Sequence, residues 1–236
     1  SEIKDERDEY SKQFRLDDGT TMAVSYQEPI HYKNAEGEWV DYDNSLKNET
    51  VNSASPDEVT EEYTNKKSDF KVNYSKKSKE NSMVKIKGDN QKISWGYKDT
   101  NKVKSTIVNN DEKLTGNDKF TALKNLTSEI TYENIYDDVD VQYFTTTTGV
   151  KENIILKNKN ARSDFYIQYK FNNLTAKSVD DKTVELLNSK GDAVYKIEAP
   201  FMFDNGGKTS TDLTLSITEQ KKNKLLSDMI QNDTDK

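Results

Sequence analysis

Apolar and polar residues alternate along several short stretches of this 236-residue chain. In residues 164–171 (DFYIQYKF) the apolar side chains on one face of an extended strand are Phe165, Ile167, Tyr169 and Phe171. The same period of two occurs in 82–87, 91–97, 139–143 and 212–218. Because neighbouring side chains of a strand point to opposite faces, this period buries one face and leaves the other in water. Antiparallel sheets fit the pattern, since only half of each strand must be apolar.

Turn-forming residues recur at short intervals between these stretches. Examples are 17–19 (DDG), 87–90 (KGDN), 189–192 (SKGD) and 204–207 (DNGG). These residue types tolerate positive φ or form side-chain turns. Short strands at this spacing predict an all-β fold, an antiparallel β-sandwich or β-roll assembly of about fifteen short strands.

The two ends of the chain break the alternating pattern. Residues 1–11 are highly charged and are predicted to form a tail or a short helix. Within 219–236, apolar residues stand at helical spacing at Leu225, Leu226, Met229 and Ile230, which predicts a terminal helix or a helical or disordered linker. Between them, residues 12–218 are predicted to form one continuous β-rich module. Two packed sandwiches dividing near 65 or 125 fit as well, because the length allows one or two domains.

The low content of apolar residues raises disorder as an alternative to a folded β-rich module. They make up 32% of the chain, and the net charge is -7. Such values border on those of disordered segments, but the 10% aromatic content and the alternation favour one-sided sheets. The acidic balance disfavours a nucleic-acid partner. No apolar run approaches the ~18 residues of a membrane span, so no membrane insertion is expected.

Residues with catalytic potential are scarce. The chain has no cysteine and one histidine, His31, which excludes thiol nucleophiles, disulfides and zinc–thiolate sites. His31 lies in a short alternating strand, where a structural imidazole is favoured over a general base or metal ligand. The catalytic patterns GxSxG and HExxH are absent. The sequence therefore predicts a protein that is not an enzyme, with no catalytic residues and no cofactor.

Two charged clusters allow a binding role. Asp137, Asp138 and Asp140 alternate in part like calcium ligands, but the Gly at the bend and the late Glu of a calcium loop are missing. An acidic turn is favoured there, and calcium binding stays open. The basic run 76–79 (KKSK) stands beside Glu80 and contains no Arg, which favours a solvated hairpin end over a site for polyanions.

Some aromatic residues stand out of phase with the buried face of their strand. Phe144 follows the inward Tyr143, and Tyr166 stands between Phe165 and Ile167. Exposed aromatics are common recognition anchors, so Phe144 and Tyr166 are the candidate binding residues. Burial of both strand faces between layers is the alternative. Trp39 and Trp95 are candidates for stacking on a glycan, but both stand in alternating strands that favour a core position.

One segment carries a resemblance to a known group of proteins. Residues 129–157 read EITYENIYDDVDVQYFTTTTGVKENIILK. They resemble a stretch in the N-terminal β-rich regions of large secreted or surface proteins of Gram-positive bacteria with DNRLRE-type and Rhs/YD-repeat regions, like wall-associated proteins. Weaker similarity in 14–46 and 174–204 extends the resemblance over most of the chain. It implies an all-β module, extracellular or at the cell surface, with further domains of the same parent chain and no catalytic residues to carry over.

These observations together predict a non-catalytic extracellular binding module with a protein ligand. Host immunoglobulin is one candidate ligand, because exposed strand edges can add to an immunoglobulin-type sandwich by β-augmentation. Two alternatives stay open. One is a structural stalk or cap of a Rhs/YD-repeat toxin or wall-anchored protein, and the other is a glycan-binding module.

Overall fold

The computed structural model describes residues 1–52, 59–80, 82–88, 90–109, 123, 125–220 and 225–232. Regular structure in these residues is almost entirely extended, and the only helical turn among them is a 3-10 turn at Lys4–Glu6. Paired strands run antiparallel, so the predicted all-β antiparallel fold is confirmed. Within the same ranges no helix is long and apolar enough to cross a bilayer.

The strands are short and follow one another closely along the chain. The first half contains β1 (Ser11–Arg15), β2 (Thr21–Ser25), β3 (His31–Lys33), β4 (Trp39–Asp41), β5 (Asp43–Asn52), β6 (Val59–Lys67), β7 (Lys71–Ser75), β8 (Val84–Lys87), β9 (Lys92–Tyr97) and β10 (Ser105–Asn109). The second half contains β11 (Ser128–Tyr136), β12 (Val139–Thr145), β13 (Val150–Leu156), β14 (Asp164–Asn172), β15 (Thr175–Ser178), β16 (Val184–Leu187), β17 (Ala193–Ile197), β18 (Met202–Phe203), β19 (Thr209–Ser210), β20 (Leu213–Gln220) and β21 (Leu225–Asn232). Strands of two or three residues, such as β18, are too short to show alternation, which explains why the sequence predicts fewer.

The described residues within 1–72, 106–131 and 141–154 form one compact unit, called unit 1. Three hairpins pair β1 with β2, β3 with β4, and β5 with β6. The buried apolar side chains of unit 1 are Phe14, Ile30, Tyr42, Leu46, Val72, Ile130, Val141 and Tyr143. Two buried amides accompany them: Asn65 Nδ2 donates to Asn44 Oδ1 at 3.2 Å and to the Phe70 carbonyl at 3.1 Å. Because buried polar groups need partners, these bonds allow two Asn side chains in the core.

The described residues within 73–105, 132–140 and 155–236 form a second compact unit, called unit 2. Its largest sheet contains the strand order β20-β21-β14-β9-β8. The register sets Tyr169 opposite Trp95, and their rings stack with centroids 5.8 Å apart. The inward face of β14 is buried as the alternation predicts, at Phe165, Ile167, Tyr169 and Phe171. β15, β16 and β17 form a separate three-stranded sheet, and β18 pairs with β19.

The ends of the chain differ from their predictions in part. Near the N-terminus the backbone of residues 1–3 bonds to β1, since Ile3 N–H donates to the Gln13 carbonyl at 2.8 Å and a second bond joins Arg15 N–H to the Ser1 carbonyl. At the other end, the predicted helix is wrong over Leu225–Asn232, which form β21 between β14 and β20. Pairing on both sides supplies partners for the backbone of β21, and this outweighs a helical spacing of four apolar residues. Residues 221–224 and 233–236 of the predicted linker lie outside the described residues.

Candidate functional site

The two predicted anchors lie on strand faces opposite to buried neighbours. Phe144 is half-buried on β12 in unit 1, beside the fully buried Tyr143. Tyr166 is 43% exposed on β14 in unit 2, between the buried Phe165 and Ile167. Their role as binding residues stays a prediction.

Phe201 and Phe203 are exposed more fully than either predicted anchor. Phe201 is 57% exposed and Phe203 is 65% exposed, and their ring centroids lie 6.3 Å apart at an angle of 33°. The β18–β19 hairpin that carries Phe203 is closed by a tight turn, in which Asp204 Oδ1 accepts the N–H groups of Gly206 and Lys208 at 2.8 and 2.9 Å. A hairpin with two residues in each strand has no second layer of its own to cover the rings. The surface formed by the two exposed rings, Phe201 and Phe203, is called the Phe201/Phe203 face.

A shallow depression of about 770 Å³ borders this face. It is lined by Lys182, Phe201, Thr209, Ser210, Thr211 and Asp212. Lys182 Nζ donates to the Thr211 carbonyl at 2.8 Å, which joins the loop before β16 to the end of the hairpin. Because cross-strand partners share a face, the Phe203–Thr209 pair sets an aromatic ring beside a hydroxyl. The depression therefore offers apolar contact next to hydrogen-bonding groups.

The sequence also contains a pattern, separate from the alternation, that predicts exposure of these two rings. Phe201 and Phe203 stand two residues apart, directly before the 204–207 turn (DNGG), with no apolar run on the other side of the turn. Two aromatics on one face of a strand that has no apolar hairpin partner will remain exposed. The resemblance of residues 174–204 to strands of known proteins implies β-structure for this segment and says nothing about exposure of the two rings.

His31 is fully buried in unit 1, next to a carboxylate. Its Nδ1 lies 2.6 Å from the Asp8 carbonyl oxygen, and its Nε2 lies 3.4 Å from Asp41 Oδ1. Because a carbonyl oxygen only accepts, Nδ1 carries the proton in the first contact. The register of β3 and β4 sets His31 directly opposite Asp41, which explains the second contact.

Two cations complete this group. Arg7 Nη2 and Lys12 Nζ lie 3.1 and 2.6 Å from the Asp41 carboxylate. Its contacts with His31, Lys12 and Arg7 hold the pKa of Asp41 well below its usual range. The group of Arg7, Lys12, His31 and Asp41, called the His31 cluster, ties the N-terminal segment to the β3–β4 hairpin. An imidazole, a carboxylate and two cations are also groups that acid–base cleavage of a phosphodiester can use.

The acidic cluster forms the turn between β11 and β12, as its acidic-turn interpretation requires. Asp138 adopts a φ of 60°, and β12 begins at Val139. Asp140 Oδ1 accepts the Asn134 N–H at 2.6 Å and binds Lys157 Nζ at 2.8 Å. Among the described residues, no group of three or more His, Cys, Asp or Glu side chains is arranged to hold a metal ion.

The tryptophans proposed for glycan stacking are covered to different degrees. Trp95 is 7% exposed and stacks on Tyr169. Trp39 is half-buried, and Lys33 Nζ lies 4.9 Å from the centre of its ring. Trp95 is therefore a core residue, while Trp39 has one ring face beneath a lysine.

Comparison with known proteins gives distant relatives and no solved structure. No protein-family model and no solved structure matches the chain. The chain is 27% identical to the tRNA nuclease WapA of Bacillus subtilis (strain 168) over 205 residues, which are 86% of this chain and 8% of that protein. The tRNA3(Ser)-specific nuclease WapA of Bacillus spizizenii matches with the same identity and the same shares. The wall-associated protein of Geobacillus stearothermophilus is 25% identical over 209 residues, which are 86% of this chain and 75% of that protein.

These relatives confirm two predictions and overturn one. The resemblance to wall-associated proteins is confirmed, and so is the predicted location outside the cell or at its surface. The prediction that the protein is not an enzyme is wrong, because three relatives are named tRNA nucleases. That prediction came from catalytic motifs missing in this stretch, and the stretch spans only 8% of each nuclease.

Proposed function

We propose that the chain is a β-rich binding module of a wall-associated surface protein and takes a protein ligand at the Phe201/Phe203 face. The exposure of the two rings carries this proposal, since both are more than half in water. Large exposed apolar groups that cluster on a folded surface mark sites of interaction, because a partner removes them from water. Aromatic anchors of this kind supply much of the binding energy of protein interfaces.

A protein ligand is favoured over a glycan at this face. The exposed rings are phenylalanines, which have no hydrogen-bonding group of their own, and they are tilted by 33°. A protein side chain fits between tilted apolar rings better than the flat face of a sugar does. Host immunoglobulin is the first candidate ligand, since its sheets can also be extended by β-augmentation. We propose a structural stalk or cap of a DNRLRE or Rhs/YD-repeat parent protein as the alternative to this binding role.

Binding to purified immunoglobulin G tests this assignment with matched variants. Phe201→Ser combined with Phe203→Ser should weaken binding by about thirtyfold or more, which corresponds to hot-spot residues. Phe144→Ser and Tyr166→Ser, made separately, test the anchors predicted from the sequence, and a loss of binding in either would place the ligand on that strand face. Unchanged affinity in the double variant refutes the Phe201/Phe203 face. Absence of binding to immunoglobulin together with retention on a glycan array refutes a protein ligand.

We also propose that the chain belongs to a larger protein that cleaves tRNA, as the names of three relatives suggest. Within the described residues, the His31 cluster combines an imidazole, a carboxylate and two cations; His31 is fully buried, so the half-exposed Asp41 is the group of this cluster that a substrate can reach. Incubation of the folded chain with tRNA separates two cases. Cleavage that disappears in Asp41→Asn assigns the activity to this cluster, whereas intact tRNA assigns it to a part of the protein that lies outside this sequence.

A further inference from the structure

Two segments far apart in sequence pair outside the named strands of unit 2. Lys77 and Lys104 form an isolated antiparallel bridge. Ser78 N–H donates to the Val103 carbonyl at 2.9 Å, and Ser105 N–H donates to the Lys76 carbonyl at 3.0 Å. These bonds flank the Lys77–Lys104 pair, so the pair itself is of the non-hydrogen-bonded type. In such a pair the two side chains leave the same face at the closest spacing of an antiparallel ladder, about 4.5 Å between Cα atoms.

Further lysines stand beside this pair. The group, called the lysine patch, consists of Lys77, Lys79, Lys102 and Lys104, which stand at alternate positions of the two paired segments. Lys77, Lys102 and Lys104 are exposed, while Lys79 is half-buried. Within the described residues, Lys77 and Lys104 make no ion pair, and the same holds for Lys79 and Lys102. Glu80 and Asp99 are exposed nearby in sequence and are the acidic residues closest along the chain to the patch.

The patch is positively charged, whereas the chain as a whole is acidic. Like charges directly opposite each other destabilise a strand pair, and here the pair is extended by further cations. The chain as a whole carries a net charge of -7, so the lysines opposite each other do not reflect a general excess of basic residues. A polyanion laid across the patch would relieve the repulsion. The run 76–79 alone indicates a solvated hairpin end, because Lys102 and Lys104 come next to it only through the bridge.

We propose that the lysine patch binds an anionic phosphodiester polymer of the bacterial cell wall, an inference that rests on the proposed surface location. Lysine ammonium groups act as point charges toward phosphate, without the planar geometry that arginine imposes. The patch contains no arginine and no aromatic residue. Single-stranded RNA is bound largely by stacking of bases on aromatic side chains, so a patch of lysines alone suits a polymer that offers only its backbone.

A binding assay with soluble poly(glycerol phosphate) tests this proposal on the full chain. Lys77→Gln combined with Lys104→Gln should weaken binding at low salt about tenfold and make the dependence on salt concentration less steep, because fewer counterions are released. Lys170→Gln combined with Lys177→Gln is the matched control, since it removes two exposed lysines of the same unit, and it should change affinity less than twofold. Circular dichroism of both variants checks that the fold is retained.

Each outcome supports or overturns the lysine patch. Selective weakening in the patch variant supports it. Equal weakening in both double variants shows a general charge effect and overturns it, and tighter binding of tRNA than of poly(glycerol phosphate) by the wild type overturns the choice of polymer. The combined Phe201→Ser and Phe203→Ser variant should keep its affinity for the polymer. A failure of the lysine patch is thereby distinguished from a failure of the proposed protein-binding face.

Discussion

Asp41 is the residue whose ionisation matters most to the N-terminal part of unit 1. His31, Lys12 and Arg7 all contact its carboxylate, and the pKa of Asp41 lies well below its usual range because of these contacts. Since this pKa is lower in the folded than in the unfolded protein, the carboxylate stabilises the fold above the unfolded pKa of ~3.9 and loses that effect as the pH falls. Asp41→Asn should therefore lower the free energy of unfolding at pH 7 by about 1 kcal/mol, a value reduced by the solvent that reaches half of this side chain.

The pH dependence of unfolding in urea checks this expectation. As the pH falls below the unfolded pKa of ~3.9, the wild type should lose more stability than Asp41→Asn, and the difference should keep shrinking until the pH reaches the low folded pKa of Asp41. Asp17→Asn, in the exposed turn before β2, is the control and should follow the wild type. Parallel curves for wild type and Asp41→Asn would contradict the assignment.

Gly96 on β9 is required by a close backbone approach. A Cβ atom at this position would lie 2.5 Å from the Glu80 carbonyl oxygen and would also collide with the Lys79 carbonyl oxygen. Since both obstacles are backbone atoms, relief requires a shift of the chain, and Gly96→Ala should lower the free energy of unfolding by about 1–3 kcal/mol. Urea denaturation measures this loss. Gly206→Ala is the matched control, because its Cβ would meet only the side chain of Asp204, whose Oδ1 lies nearest at 3.2 Å. A loss in Gly206→Ala as large as in Gly96→Ala would refute the explanation.

At the scale of elements, β14 shows what alternation can predict. Ile167 is 2% exposed and pairs with Tyr97, while the neighbouring Tyr166 is 43% exposed. Ile167→Ala should lower the free energy of unfolding by about 2–5 kcal/mol, because it leaves a cavity in the core. Tyr166→Ala removes more atoms but should cost no more than about 0.5 kcal/mol, as an exposed substitution does. Thermal unfolding followed by circular dichroism ranks the two, and the reverse order would show that the strand faces are exchanged.

Other features of the fold could not be predicted from alternation. Strands with four or more alternating residues, such as β12 and β14, can be recognised because the local sequence shows apolar residues at every second position of the buried face. The lysine patch depends on a bridge between residues 77 and 104, and no local pattern reports such a pairing. The β21 strand carries helical spacing, yet backbone pairing with β14 and β20 determines its conformation. Local periodicity thus predicts faces, whereas pairing between distant segments determines which faces become sites.

At the scale of the whole molecule, the chain path through unit 1 determines where the protein can be divided. Unit 1 draws on three segments, and its β5 strand depends on the later ones. Asn44 Nδ2 donates to the Leu126 carbonyl at 2.9 Å, and Leu46 N–H donates to Asn109 Oδ1 at 2.7 Å. A fragment that ends at residue 72 lacks both partners and leaves the Nδ2 donor of the buried Asn44 without its acceptor, which costs on the order of 1–3 kcal/mol for that group alone.

We therefore expect the fragment 1–72 to remain unfolded when it is produced alone. Its circular dichroism spectrum should lack the β-sheet signal, and its urea titration should show no cooperative transition, while the full chain shows one. The sequence-based boundaries near 65 and 125 are tested by the same experiment, together with a fragment 1–125. That longer fragment regains Asn109 but still lacks Leu126 and the segment 141–154 that completes unit 1, so it should also fail to unfold cooperatively. Cooperative unfolding of either fragment would instead show that an independent domain ends near residue 65 or near residue 125.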